Sequence, residues 1–375
     1  NDEVGAVNFT LAHGAQEVEV AGEVSRIFLG VQIQCAQCHD HPNDPWKRQQ
    51  FHEFAAFFAG ARARRASPPD VRPEVYEVVA EGTPHYAMPD LKDPRTQIPV
   101  RPRFFLADAT APIPDGLTAG QRRALAASFV TGQDNPWFAK AFVTRVLYAL
   151  MGESFYNPID DLGPTRAAKA PEVLETLAAQ WRRGGHDVRW LFRTILNTRT
   201  YQRASRSTRS EVGRAAFASN CAGRLRADQI ADALAQALNL PLAPPQAQAA
   251  EAKSAKAPAS NPRRTAFVSL FGVDPSLPNE DVIGTIPQAL YLMNDAQLNG
   301  AIRADKGKVL GEILAQTKDN RVALEALYLR VLCRRPSPAE VEVCSRYLAL
   351  VRDRRQVFED ILWSLVNSTE FVSRR

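Results

Sequence analysis

Ile33-Gln34-Cys35-Ala36-Gln37-Cys38-His39-Asp40-His41-Pro42 is the stretch on which the reading of this chain turns, because Cys35 to His39 form a C-x-x-C-H run. That spacing is the attachment signature of c-type haem. Each thiol can add to one haem vinyl group, and His39 can bring an imidazole nitrogen onto the iron from one face. The residues involved are scarce. The chain has five cysteines and six histidines in 375 residues, and two of each lie in or beside this run. Upstream, Val24, Ile27, Phe28 and Val31 recur at three- and four-residue steps. This predicts an amphipathic helix from Ala21 to Gln34 that delivers the cysteines at its C-terminal end. Downstream, Asp40-His41-Pro42-Asn43-Asp44-Pro45-Trp46 predicts a rigid loop. A second helix is expected from Arg48 to Ala59. Its Phe51, Phe54, Phe57 and Phe58 make an apolar wall that suits a haem pocket or a helix–helix core. Trp46 has the same two readings, against a flat macrocycle or in an ordinary core.

Other chemistries share the motif. Cys35, Cys38, His39 and His41 could form a structural zinc or iron site, although zinc ligands normally come as two separated pairs. A C-x-x-C redox pair is a further reading, but no βαβ pattern surrounds it. The last is a plain disulfide or two buried thiols. For haem, Met88 in His85-Tyr86-Ala87-Met88-Pro89 is a candidate distal iron ligand, since Met/His ligation occurs in cytochromes c. His85, His41, His52 and the loop histidine His13 are alternatives, as is five-coordinate iron.

Composition bounds the class. At 375 residues the chain exceeds one ordinary core, so two or three domains are expected. Hydrophobic and charged contents of 45% and 23% are those of a soluble globular protein. No apolar run approaches the ~18 residues of a membrane span. The chain begins at Asn1 without a leader-like apolar region, so it is expected to be a processed chain or a fragment. Haem is attached to such motifs outside the cytoplasm, which implies a periplasmic or extracellular location. The net charge of +5 is carried by scattered arginine clusters with no aromatic-interleaved basic stripe, so no nucleic-acid partner is expected. A mildly basic surface suits an acidic redox partner or a polyanionic substrate.

Along the chain, residues 1–20 read as irregular or weakly extended. Residues 60–116 are Pro-rich, with one strand-like alternation from Glu74 to Val79. Helices are expected at 117–131, from Pro136 through Leu150 with Asn135 as its cap, at 172–183 and at 187–199. Between them lies a polar loop with Asp160-Asp161, either a calcium or catalytic pair or simply capping and salt-bridging acids. Residues 241–262 read as a low-complexity linker or insertion. After it Thr265–Gly272 is short and apolar, and helices are expected at 287–302, 309–316, 321–332, 337–351 and 357–371. Ser337 and Glu340 make a capping-box pattern. Cys221, Cys333 and Cys344 allow one disulfide and a leftover thiol, or simple buried cysteines. No dinucleotide, P-loop, H-E-x-x-H or nucleophile-elbow motif occurs.

Two sets of residues also resemble known families. Phe28 to Pro42, Asp44-Pro45-Trp46 and Ala55-Ala56-Phe57-Phe58 resemble the C-terminal half of the planctomycete cytochrome-c-like domain. Asp93-Pro94-Arg95-Thr96 and Pro102-Arg103-Phe104-Phe105-Leu106 resemble its closing segment. Asn135-Pro136-Trp137-Phe138-Ala139, Arg145-Val146, Pro158-Ile159-Asp160-Asp161, Leu196 to Gln202 and Ser364 to Phe371 resemble the helical domain of unknown function fused downstream. The resemblance implies an exported protein, found in large multidomain chains, and supplies no activity. The helical half that precedes the motif in that family is missing, which implies a partner fragment. Asn43 replaces a common aromatic, and the segment 203–224 is shorter than usual.

These readings converge on a mainly α fold, with a Pro-rich irregular or short-β segment between two helical parts. The expected domains are 1–116 with the motif, 117–240, the linker 241–262, and 263–375. The expected function is one-electron transfer through one haem c on Cys35, Cys38 and His39, towards a redox partner protein. The alternative is a structural subunit of a larger exported or membrane-associated complex, whose Cys/His cluster binds zinc, another metal or no metal, or forms a disulfide. A redox enzyme acting on polysaccharide through Asp160 or Asp161 is a third, weaker idea.

Overall fold

In a computed structural model of the chain, the described residues are 5–70, 74–80, 82–106, 113–203, 216–218, 223–240, 242, 261–272 and 284–374. Among them the protein is mainly α, with fifteen α-helices and three small two-stranded antiparallel sheets. The chain divides into two compact units. The first takes in residues 1–203 and 212–220, the second 204–211 and 221–375. The boundary suggested by composition near residue 116 lies inside the first unit. The physical link there is aromatic: Trp46 meets Trp137 edge-on at 6.5 Å, and Phe104 stacks on Phe129 at 5.6 Å. The linker at 241–262 and Cys221 lie outside the described residues, apart from positions 242, 261 and 262.

The first unit opens with helices Gly5–Ala12 and Glu17–Val24, in a stretch whose composition suggested irregular chain. The second helix continues into a wide π-helical turn, Ser25–Leu29, and stops at Gly30. Gly30 has φ +67°, a left-handed conformation that glycine adopts without strain and that ends helices. Buried Ser25 closes the turn, its Oγ donating to the Val31 carbonyl at 2.8 Å. The helix expected to reach Gln34 therefore ends at Leu29, five residues short of it, and the non-helical residues 30–33 connect it to the motif.

The helix Arg48–Ala55 follows. Its Phe54 lies against Phe58 and Phe105 at 5.3 and 5.2 Å. Strand Ala61–Arg65 pairs with Tyr76–Ala80, and Ala87–Pro89 with Gln97–Pro99. Helices Ala119–Thr131, Pro136–Met151, Pro171–Arg183 and Val188–Leu196 complete the described helices of this unit. Asn135 caps the second of these through Trp137 N–H at 3.0 Å. In a separate apolar core there, Trp181 stacks on Phe142 at 4.5 Å.

The second unit has its own core around Leu234, Phe267, Leu327, Phe358 and Leu362. Ser337 and Glu340 form the expected capping box. Asp295 breaks the helix expected over 287–302 into Ile286–Asn294 and Ala296–Ile302 by capping the second piece, accepting from Leu298 N–H at 2.9 Å. Strands Gly223–Arg224 and Ser373–Arg374 pair antiparallel and tie the two ends of the unit together. No helix among the described residues is long and apolar enough to cross a membrane.

Candidate functional site

The motif sits on a short 3₁₀ turn, Gln34–Gln37. Such turns are tight and poorly hydrogen-bonded, so they hold only when anchored from outside. Ala36 is the anchor within the turn, fully buried in the first core. Cys35 and Cys38 fall on the opposite side, both exposed and both free thiols. His39 is exposed as well.

The two motif histidines are held in opposite tautomers. His39 Nδ1 lies 2.7 Å from the Asp40 carbonyl oxygen. A carbonyl only accepts, so Nδ1 is the donor there and Nε2 is the nitrogen left for a metal. His41 Nδ1 instead accepts the backbone N–H groups of Asp44 at 3.0 Å and Asn43 at 3.3 Å. Its proton is therefore on Nε2, and its lone pair is already in use. Of the two, His39 has the ligand geometry.

Beneath the turn, Asp40 and His52 tie the motif to the following helix. Asp40 accepts the Arg48 N–H at 3.0 Å and pairs with Lys47 at 2.9 Å. These contacts, the backbone one foremost, lower the Asp40 pKa. His52, 4% exposed, spans Gln37 O at 3.0 Å and Tyr86 Oη at 2.7 Å. Burial lowers the His52 pKa and raises that of Tyr86.

The loop after the motif is clamped by residues 158–166. Thr165 Oγ donates to Asp44 at 2.5 Å, and Arg166 approaches the same carboxylate at 3.7 Å. A Cβ on Gly163 would lie 2.8 Å from Asp44 Oδ1, so a larger residue there would push against the carboxylate that Thr165 holds. Asp160, 0% exposed, binds Arg26 at 2.9 Å, Gln32 at 3.1 Å and Arg145 at 3.5 Å. Asp161 pairs with Arg166 at 2.8 Å. Both acids of the Asp160-Asp161 pair are thus structural braces.

Other candidate ligands are placed away from that role. Met88 is buried, and its sulfur accepts from Arg48 Nη1 at 3.6 Å. His13 packs edge-on against Phe9 at 5.0 Å, and His85 is exposed. Among the described residues, no three His, Cys, Asp or Glu side chains converge on a metal-sized site. Cys35, Cys38, His39 and His41 are therefore not gathered on one point. Trp46 and the Phe51–Phe58 wall are consumed by the core; Trp46 meets Phe105 at 5.4 Å. Cys333 is exposed and Cys344 buried, both free.

The donor set fits a haem attached at the protein surface: two free exposed thiols and one imidazole with an available nitrogen. Of the two readings of the aromatic wall, a haem pocket or a helix–helix core, its contacts are those of the core. The supporting residues His52, Tyr86, Asp40 and Thr165 were not singled out as supports from the sequence. The signal for His52 was a histidine on the otherwise apolar face of the Phe-rich helix.

Two family matches bear on the chain. Residues 121–348, more than half of it, match PSD1, a protein of unknown function (DUF1553). Residues 3–63, which include the motif, match PSCyt2, also a protein of unknown function (DUF1549). The two matches are consistent with a planctomycete-type domain pair. No curated protein and no solved structure matches.

Proposed function

The chain belongs to the PSD1 family of unknown function (DUF1553), and from that premise we propose that its PSCyt2-like N-terminal segment carries one haem c in an exported electron-transfer protein. The observation that carries the reading is the 3₁₀ turn itself, which presents Cys35 and Cys38 as free exposed thiols, while the Asp40 carbonyl occupies His39 Nδ1 and leaves Nε2 as the nitrogen for iron. Cys35 and Cys38 would hold the group through thioethers, and His39 would be its proximal ligand. When bound, haem supplies one-electron transfer. The chain's own contribution is to anchor the turn through Ala36, Gln37 and Asp40 and to fix the His39 tautomer. Exposure of the site suits direct contact with a redox partner. The test is expression in a host with c-type haem maturation, comparing wild type with His39→Ala. Loss of the low-spin spectrum in His39→Ala supports the reading; an unchanged spectrum contradicts it.

One observation favours a second reading. Helix Ile286–Asn294 leaves Ile286 76%, Leu290 52% and Met293 42% exposed, an apolar stripe at four- and three-residue steps. This suits a structural subunit of a larger assembly, with the Cys/His turn binding a metal such as zinc or closing as a disulfide. Protein isolated without covalent haem, but in stable complex with other subunits, supports that reading over the first.

A further inference from the structure

We propose that His52 and Tyr86 are positioning residues that preset the Cys35–Cys38 turn. The inference deepens the reading above and rests on Cys35 and Cys38 being its working thiols, whatever they bind. The Gln37 carbonyl belongs to the peptide that leads into Cys38. It accepts from His52 Nε2 at 3.0 Å, so Nε2 carries the ring proton. Nδ1 is then the acceptor, and the Tyr86 hydroxyl donates to it at 2.7 Å. Tyr86 is held in turn, its own carbonyl accepting Val100 N–H at 2.9 Å. Donation runs one way, from Tyr86 to His52 to the turn.

The helix that carries His52 also grips the motif on the far side of Cys38 and His39, through the Asp40 carboxylate on Arg48 N–H. Cys38 and His39 therefore lie between two fixed points, and Cys35 lies next to buried Ala36. An exposed 3₁₀ turn without such anchors frays. A packed core has no need of this pair: replacing two hydrogen-bonded partners by apolar groups of the same shape is nearly neutral for stability. Here a buried imidazole and phenol are spent on one surface peptide, which is how a site is held in a working geometry before its ligand arrives.

The test reads the thiols and not the haem. Unloaded protein is equilibrated in glutathione buffers, and the Cys35–Cys38 disulfide fraction is measured by differential alkylation and peptide mass spectrometry. The variants are His52→Ala, the milder Tyr86→Phe, and Phe129→Leu as a packing control in the same core. Loosening the turn lowers the effective concentration of one thiol at the other. His52→Ala and Tyr86→Phe should shift the equilibrium toward the dithiol, by about tenfold for His52→Ala, the size seen when hydrogen-bonded supports of a ligating group are removed. Phe129→Leu should lower the melting temperature and leave the equilibrium in place. An unmoved equilibrium in both relay variants overturns the proposal, as does an equal shift in Phe129→Leu. Should His52→Ala not fold, Tyr86→Phe against Phe129→Leu decides the matter. Absence of haem in wild-type protein would sink the haem reading and leave this readout intact.

Discussion

Replacing Gly30 by alanine should destabilise the first unit by about 2–4 kcal/mol. The residue has φ +67°, where a Cβ costs roughly 1–2 kcal/mol. The added methyl would lie 2.8 Å from Leu162 Cδ1 and 3.2 Å from Ala141 Cβ, an overpacking of about 1–3 kcal/mol. The backbone cannot swing away to relieve it, because the Gly30 carbonyl accepts Leu162 N–H at 2.7 Å. The stiffer unfolded chain offsets about 0.4–1 kcal/mol. For a unit of this size each kcal/mol moves the melting temperature by about 2–4 °C. The expected fall is therefore on the order of 5–15 °C. Tryptophan fluorescence in a urea titration is a suitable assay, since Trp46, Trp137, Trp181 and Trp190 lie in the first unit and Trp363 in the second. A loss below about 1 kcal/mol would refute the argument that Gly30 is held between Leu162 and Ala141.

Asp160→Asn should cost the first unit about 3 kcal/mol, because it leaves the Arg26 and Arg145 guanidinium groups without the buried carboxylate they share; urea unfolding with no loss beyond about 1 kcal/mol would show that Asp160 is no brace. In the second unit, Arg334 holds the Glu340 carboxyl down to about 2, from an ordinary value of 4.5. The folded value is the lower one, so this stability is present above pH 4.5 and is lost as pH falls from there toward 2. Both side chains are about one-third exposed, so solvent screening leaves roughly 1 kcal/mol. Glu340→Gln should lose that amount at neutral pH and flatten the acid limb of stability, and an unchanged limb would refute the assignment. His52 has a pKa lowered by burial, so the unfolded chain takes up its proton first. Its contribution is complete above the ordinary value of 6.5 and declines as pH falls below it, and a His52→Gln variant should show a weaker decline between pH 7 and 5 in the same titration.

The helices were largely legible because their apolar spacing and caps are local. Ser337 with Glu340, and Asn135 before Pro136, act in the structure as their positions suggest. Stops were harder to read. Gly30 ends its helix through a left-handed conformation that depends on a close neighbour, Leu162, far along the chain. Asp295 looks like an ordinary polar residue within a helical pattern, yet it caps a new helix and binds Arg263. The strand Ala61–Arg65 carries three arginines and no β-branched or aromatic residue; its form comes from pairing with Tyr76–Ala80. Helix Gly5–Ala12 lacks charged residues and a polar face, so its periodicity was faint.

The motif itself was fully visible in Cys35, Cys38 and His39, and its supports were not. Thr165 on Asp44, and Arg26 on Asp160, join residues more than a hundred positions apart. The Phe51–Phe58 wall shows the opposite limit. Its sequence is compatible with a pocket or a core, and only the presence of Phe104, Phe105 and Phe129 against it decides for the core.

The most direct test of the central claim is a pyridine haemochrome spectrum with an intact mass, on protein purified from a host that matures c-type haem. The account predicts a c-type band and a mass raised by one haem, with both changes lost in a Cys35→Ser, Cys38→Ser double variant. A wild-type mass equal to that of the polypeptide, with no haemochrome band, would contradict it.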